Sequence, residues 1–202
     1  NVPTEVNSII SKCMAKNRDE RYLNMQELLN ALMVVYKGYT GETLPDVITG
    51  EMTAMDYNNR GMTYANLGEV DRAIDDYTIA IRLKSDYAKA YNNRGLTYSI
   101  KGMNHEAIAD FDVAIHINSN YAIAYNNRGM AYDNLGETDR AIADFNIAIR
   151  INPNYAKAYY NRGTSYGRQK KTDQAIADFN VSIQINPNFF QAYANRANSY
   201  KD

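Results

Sequence analysis

The chain has 202 residues, 45% of them hydrophobic and 22% charged, with a formal net charge of -1. That is the balance of an ordinary globular protein, and it lacks the basic excess that nucleic acid or an anionic membrane surface demands of a partner. The single Cys13 can form no internal disulfide, no apolar run approaches the ~20 residues of a bilayer-spanning helix, and the N-terminus has no signal-peptide pattern, so a cytoplasmic protein without a membrane partner is expected.

In chain order, residues 1–37 predict two amphipathic helices. One runs from about Thr4 to Lys16 with Val6, Ile9, Ile10, Cys13 and Met14 on its apolar face; the other runs from about Asn24 to Tyr36 with Leu28, Leu29, Leu32 and Val35. The set Val2, Pro3, Lys12, Cys13, Met14, Arg21, Tyr22, Glu27 and Leu28 resembles the last two helices of a serine/threonine protein kinase domain, although Asn17-Arg18 replaces that family's usual Asp-Pro. The alternative is an unrelated helical cap. By the resemblance Arg21 would pair with a buried Glu of the activation segment, which this chain does not contain. Residues 38–53, with Gly38, Gly41, Pro45 and Gly50, predict a linker.

From residue 54 onward the chain repeats itself. Tyr-Asn-Asn-Arg-Gly begins at Tyr57, Tyr91 and Tyr125, and variants begin at Tyr159 and Tyr193, each 34 residues after the last. Ala-Ile-x-Asp-aromatic keeps the same step at Ala73, Ala107, Ala141 and Ala175, and Ser85, Ser119, Pro153 and Pro187 close each unit. Tyr91, Arg94, Gly95 and Tyr98 fall on one helical face, as do Ala107, Ile108, Phe111, Ala114 and Ile115. Gly68, Gly102 and Gly136 mark turns between the two helices of each unit, with Lys170 in the fourth, and Asp71, Asp139 and Asp173 are placed to cap or charge-stabilise the second helices.

This pattern resembles the tetratricopeptide repeat (TPR), whose signature falls here on Tyr125, Arg128, Gly129, Tyr132, Ala141, Phe145, Ala148 and Pro153. The resemblance implies an all-α, right-handed α-solenoid of stacked antiparallel helix pairs, preceded here by the helical hairpin. Four full units are expected (54–87, 88–121, 122–155, 156–189), with 190–202 as the first helix of a fifth. With a kinase-like segment at one end and a part-repeat at the other, the chain is expected to be a piece of a longer kinase-plus-repeat protein. Arg60, Arg94, Arg128 and Arg162 stand where the family usually has Leu. They travel with Asp76, Asp110, Asp144 and Asp178, which predicts a repeated, partly buried ion pair between helices.

Catalysis is not expected. The Gly-rich loop, phosphate-binding Lys, catalytic loop and metal-binding Asp-Phe-Gly of a kinase are missing, and Asp144-Phe145-Asn146 belongs to a repeat helix. His105 and His116 are off one helical face, so neither metal nor cofactor is expected. The resemblance places first helices along a concave groove. Asn59, Asn93, Asn127, Asn161 and Asn195 would face it, flanked by Asn58, Asn92, Asn126 and Tyr160, with Met62, Leu96 and Met130 one turn on. An amide both donates and accepts, so such a ladder can bind a peptide backbone. The other reading is a polar residue copied by duplication. Lys89 and Lys157 match the basic residues of a subgroup that clamps acidic chaperone tails, but Asn58 and Asn127 stand where that clamp needs further cations. The expectation is thus a scaffold binding a protein or peptide segment. The alternative is self-association through the terminal helix, or autoregulation of a kinase.

Overall fold

The computed structural model describes residues 52–200 together with Lys12, Leu32 and Val35. The chain divides into two units, 1–52 and 53–202. In the first, Lys12, Leu32 and Val35 are helical; otherwise the expected hairpin of 1–37, and the expected linker up to residue 51, lie outside the described residues. In the second, nine helices and no strand occur among the described residues. They are α1 (Ala54–Asn66), α2 (Val70–Leu83), α3 (Ala88–Ile100), α4 (Asn104–Ile117), α5 (Ala122–Asn134), α6 (Thr138–Ile151), α7 (Ala156–Arg168), α8 (Thr172–Ile185) and α9 (Phe190–Ser199).

Odd-numbered helices pack antiparallel on the even-numbered helix that follows, and each even-numbered helix packs on the next odd one, which builds the all-α solenoid. Local chemistry sets the boundaries. Thr53 and Asp56 form a capping box at α1, and the hydrogen bonds from Thr53 hold the Asp56 carboxyl below its ordinary pKa. Gly68, Gly102 and Gly136 close the helix hairpins at φ 76°, 83° and 80°. Lys170 is forced into the same left-handed region at φ 58°. Between units, Asn118, Asn152 and Asn186 each accept a hydrogen bond from the backbone N–H two residues on, at 3.1 Å. Of the two roles expected for Asp71, Asp139 and Asp173, capping or charge stabilisation, the structure has the second. These residues lie in the first turns of their helices, whose N-cap residues are Glu69, Glu137 and Lys171 without side-chain capping bonds. Their contribution is charge beside the helix dipole.

The core is built of small residues against large aromatics: Tyr77, Phe111, Phe145 and Phe179 are buried among Ala73, Ala107, Ala141 and Ala175, and Tyr132 joins Phe145 in the third unit. A Cβ added at Gly129 would meet Phe145 Cε1 at 2.7 Å and the Ala141 carbonyl oxygen at 3.1 Å. Glycine there lets the paired helices touch, and packing offsets its cost of roughly 1 kcal/mol in a helix.

The expected ion pairs are present in all four units. Each arginine grips its aspartate through Nε and Nη2, at 2.6 and 2.7 Å for Arg60–Asp76 and at 2.7 and 2.7 Å for Arg128–Asp144. Arg94–Asp110 and Arg162–Asp178 repeat this. The aspartates are buried and the arginines largely so. The paired carboxylate holds each of these guanidinium groups above its ordinary pKa against the opposing effect of burial. From α3 onward the arginine also reaches back through Nη1 to the preceding unit: Arg94 to Thr78 at 3.0 Å, Arg128 to Asp112, Arg162 to Asn146 and Arg196 to Asn180, each at 2.6 Å. One side chain thus joins three helices.

Candidate functional site

Position 34n along the chain recurs on the same helix face, so the odd-numbered helices present equivalent residues in a row. The paired asparagines divide into two roles. Asn58, Asn92 and Asn126 are 0%, 4% and 2% exposed. The second residue of each pair donates from Nδ2 across the seam to the first residue of the preceding unit. Asn93 bonds to Asn58 Oδ1 at 3.0 Å, Asn127 to Asn92 Oδ1 at 3.0 Å and Asn161 to Asn126 Oδ1 at 2.8 Å. Where Tyr160 replaces asparagine, its hydroxyl accepts the equivalent bond from Asn195 at 3.1 Å.

These rungs correct one expectation. The asparagines are not clear of the packing seam; they stitch it, because a side-chain amide there can satisfy its neighbour's buried carbonyl oxygen. Asn58, Asn92 and Asn126 are consequently enclosed. Asn127 is buried as well, whereas Asn59 is exposed and Asn93, Asn161 and Asn195 are half-buried. A half-buried amide that has given one N–H to a rung keeps its second N–H. The inter-unit bond was legible only as a 35-residue offset between two asparagine columns.

One turn along the same helices lie Met62, Leu96 and Met130, all exposed. The Asn58 and Asn126 amides contact the Met62 and Met130 sulfurs at 3.8 and 3.7 Å. Met55, Ile100 and Ile123 add further exposed apolar side chains on α1, α3 and α5. Lys89 and Lys157 are exposed in the first turns of α3 and α7. Tyr160 is half-buried and packs on Phe179 and Phe189, with ring centroids 5.9 and 4.8 Å away. At the seam of α5 and α7 a cavity of about 100 Å³ is lined by Met130, Asp133, Asn134, Phe145, Tyr160, Asn161, Thr164 and Arg168. Sequence reasoning missed Asp133 and Arg168, which occupy repeat positions whose residues vary from unit to unit. Among the described residues no group of His, Cys, Asp and Glu could hold a metal ion, and no helix is long and apolar enough to cross a membrane.

The family model described as tetratricopeptide repeat matches residues 122–155 and 156–189, a second of the same description matches 88–121, and one described as TPR repeat matches 61–102. The chain belongs to the tetratricopeptide-repeat family. A crystal structure of the MamA protein is similar at 28% identity and TM-score 0.63, covering 73% of this chain and 81% of that one. The first TPR of Spaghetti (RPAP3), bound to the HSP90 peptide SRMEEVD, is 24% identical with TM-score 0.57, covering 58% of this chain and 94% of that one. Pseudomonas aeruginosa pilF shares the fold at 20% identity and TM-score 0.69, covering 73% of this chain and 68% of that one. Comparison with curated protein sequences found no match. The TPR region is a scaffold for protein–protein interaction.

Proposed function

We propose that the TPR units bind a protein or peptide segment along the face of their first helices, and that the chain belongs to a larger serine/threonine protein kinase of the cytoplasm. One observation carries the binding reading. A row of exposed apolar side chains, Met62, Leu96 and Met130, runs beside a row of amides with hydrogen-bonding capacity left. Exposed apolar surface rimmed by polar groups is costly to leave in water and is characteristic of a binding face. An extended or helical segment with spaced apolar anchors would cover the row while its backbone meets Asn59, Asn93, Asn161 and Asn195. Lys89 and Lys157 would add a preference for acidic residues. A clamp for an acidic chaperone tail is disfavoured, since Asn58 and Asn127 are neutral and enclosed. The kinase parentage rests on the ordered matches from Val2 to Leu28.

Selection of a random-peptide display library on the 202-residue chain tests the groove. Peptides with spaced apolar residues should be enriched, and the triple variant Met62→Ser, Leu96→Ser, Met130→Ser should bind them at least about tenfold more weakly while melting as the parent does. Undiminished binding would remove the groove from consideration. A second reading, self-association, is favoured by the exposed Phe190 (75%), Tyr193 and Tyr200 of the last helix and its end. Sedimentation of the parent and of Phe190→Ser would show a concentration-dependent dimer lost in the variant.

A further inference from the structure

On each of α1, α3, α5 and α7 three positions, spaced four and then three residues apart, share one face. The middle position is the amide row Asn59, Asn93, Asn127 and Asn161. One turn C-terminal to it runs the row Met62, Leu96 and Met130, which α7 continues with Thr164. One turn N-terminal to it the residues alternate in kind: Met55, Lys89, Ile123 and Lys157. All four are exposed, Met55 by 62% and Ile123 by 45%. Among the described residues neither lysine has an ion-pair partner. The exposed carboxylate of these helices, Asp56, is engaged by Thr53 in the capping box. The arginine clasps recur in every unit, so stacking does not require the alternation.

The spacing of the rows restricts what can lie on them. Cα atoms of successive odd-numbered helices come within 8 Å of one another, and packed helix axes stand about 8–10 Å apart. A bound segment therefore has to turn the same face to the rows once in that distance. A β-strand turns the same face every two residues, about 6.6 Å, and falls out of step. An α-helix needs two turns, seven residues and about 10.5 Å, and its backbone carbonyl groups are taken by its own N–H groups, which leaves nothing for the amide row. A polyproline II helix turns the same face every three residues, about 9.3 Å, with its backbone carbonyl groups open. Laid over the amide row, it has one column of side chains toward each flanking row and a third toward solvent.

We propose that the groove takes a polyproline II segment of a partner protein in which every third residue reads the row of Met55, Lys89, Ile123 and Lys157 and is by turns apolar and acidic. Its two acidic residues stand six positions apart with an apolar residue midway. A second column, of apolar residues, covers Met62, Leu96 and Met130. This rests on the groove reading above and deepens it to a partner chemistry. Each lysine selects a carboxylate by charge, whereas a carboxylate set against Met55 or Ile123 loses water without gaining a partner, so a uniformly acidic segment is disfavoured.

The test repeats the random-peptide selection on the 202-residue chain, on Lys89→Glu and on Ile123→Lys, both at exposed side chains whose replacement should leave the melting temperature unchanged. The parent should enrich peptides with Asp or Glu six positions apart and an apolar residue midway. Lys89→Glu should move one of the acidic positions to Lys or Arg and bind parent-selected peptides about fivefold more weakly. Ile123→Lys should move the midway position to Asp or Glu. Proline at the solvent-facing positions of a selected peptide should tighten binding, because it favours the bound conformation beforehand. Acidic residues seven positions apart, binding abolished by those prolines, no fixed spacing, or preferences unmoved in both variants would overturn this proposal and leave the groove standing. Enriched peptides that ignore the Met62, Leu96 and Met130 substitutions would overturn the groove, and the proposal with it. So would no enrichment at all.

Discussion

The seams joining the first three units and the seam joining the third to the fourth are made from nearly the same sequence, yet they differ in kind. In the former, asparagine meets asparagine, and the surface above carries methionine, leucine and isoleucine. In the latter the asparagine rung persists from Asn161 to Asn126, but Asp133, Arg168, Tyr160 and the left-handed Lys170 depart from the pattern together. Repetition therefore explains how the units hold each other. The departures, which stacking does not require, locate what is particular to this chain.

The strongest way to break the regular part is the triple change Asn93→Ala, Asn127→Ala, Asn161→Ala. Each rung lost leaves an enclosed carbonyl oxygen on Asn58, Asn92 or Asn126, at about 1–3 kcal/mol apiece, and because Asn92 and Asn126 also donate to Asn93 and Asn127 the rungs form one network whose costs are coupled and not simply additive. Chemical denaturation should show a loss of several kcal/mol, and a triple variant as stable as the parent would mean the rungs are ornamental.

The arginine clasps sharpen the same contrast. Asp178→Ala strands Arg162 with only the neutral Asn146, whereas Asp144→Ala leaves Arg128 its second carboxylate, Asp112. Breaking a buried pair costs about 3–5 kcal/mol, so Asp178→Ala should approach that figure and Asp144→Ala should fall below it. Removing both members in Arg162→Leu/Asp178→Ala should recover most of the loss, since leucine stands there in most of the family. Equal losses for the two single variants would show that the reach to the preceding unit carries no energy.

Tyr77 separates the first unit from the others, which have phenylalanine there. Burial pushes its pKa from 10.0 up to about 12, with a hydrogen bond to Thr97 acting in the opposite direction. The unfolded chain would ionise near 10 while the folded one keeps its proton, so this contribution is complete below pH 10 and is lost as pH rises through 12. The two-unit difference is worth about 3 kcal/mol at 1.36 kcal/mol per unit. Between those pH values the parent should lose more stability than Tyr77→Phe, and parallel melting curves would exclude the effect.

The smallest expected change has the opposite sign. Lys170→Gly should stabilise the fourth unit by about 1 kcal/mol, because a left-handed conformation costs a residue with a Cβ roughly 1–2 kcal/mol and glycine nothing comparable, less the entropy glycine loses on folding. An unchanged or lower melting temperature would mean that Lys170 makes a compensating contact.

What the sequence determined by itself was everything that depends on period. A 34-residue step, helical spacing on each half and glycine at the turns dictate antiparallel pairs that must stack, since each pair has an uncovered apolar face. The arginine–aspartate couples were legible too, because sixteen residues separate them in every unit and no other opposite charge keeps that distance. Three things were decided only by the tertiary structure. A side-chain amide reads the same whether it faces solvent or a neighbouring carbonyl oxygen, so only packing could put Asn58, Asn92 and Asn126 inside the seam. Likewise the arginine's second reach depends on where the preceding unit's even-numbered helix lies. And Asp133 and Arg168 are 35 residues apart at different repeat positions, with no periodic signal; the stacking of α5 on α7 brings them together.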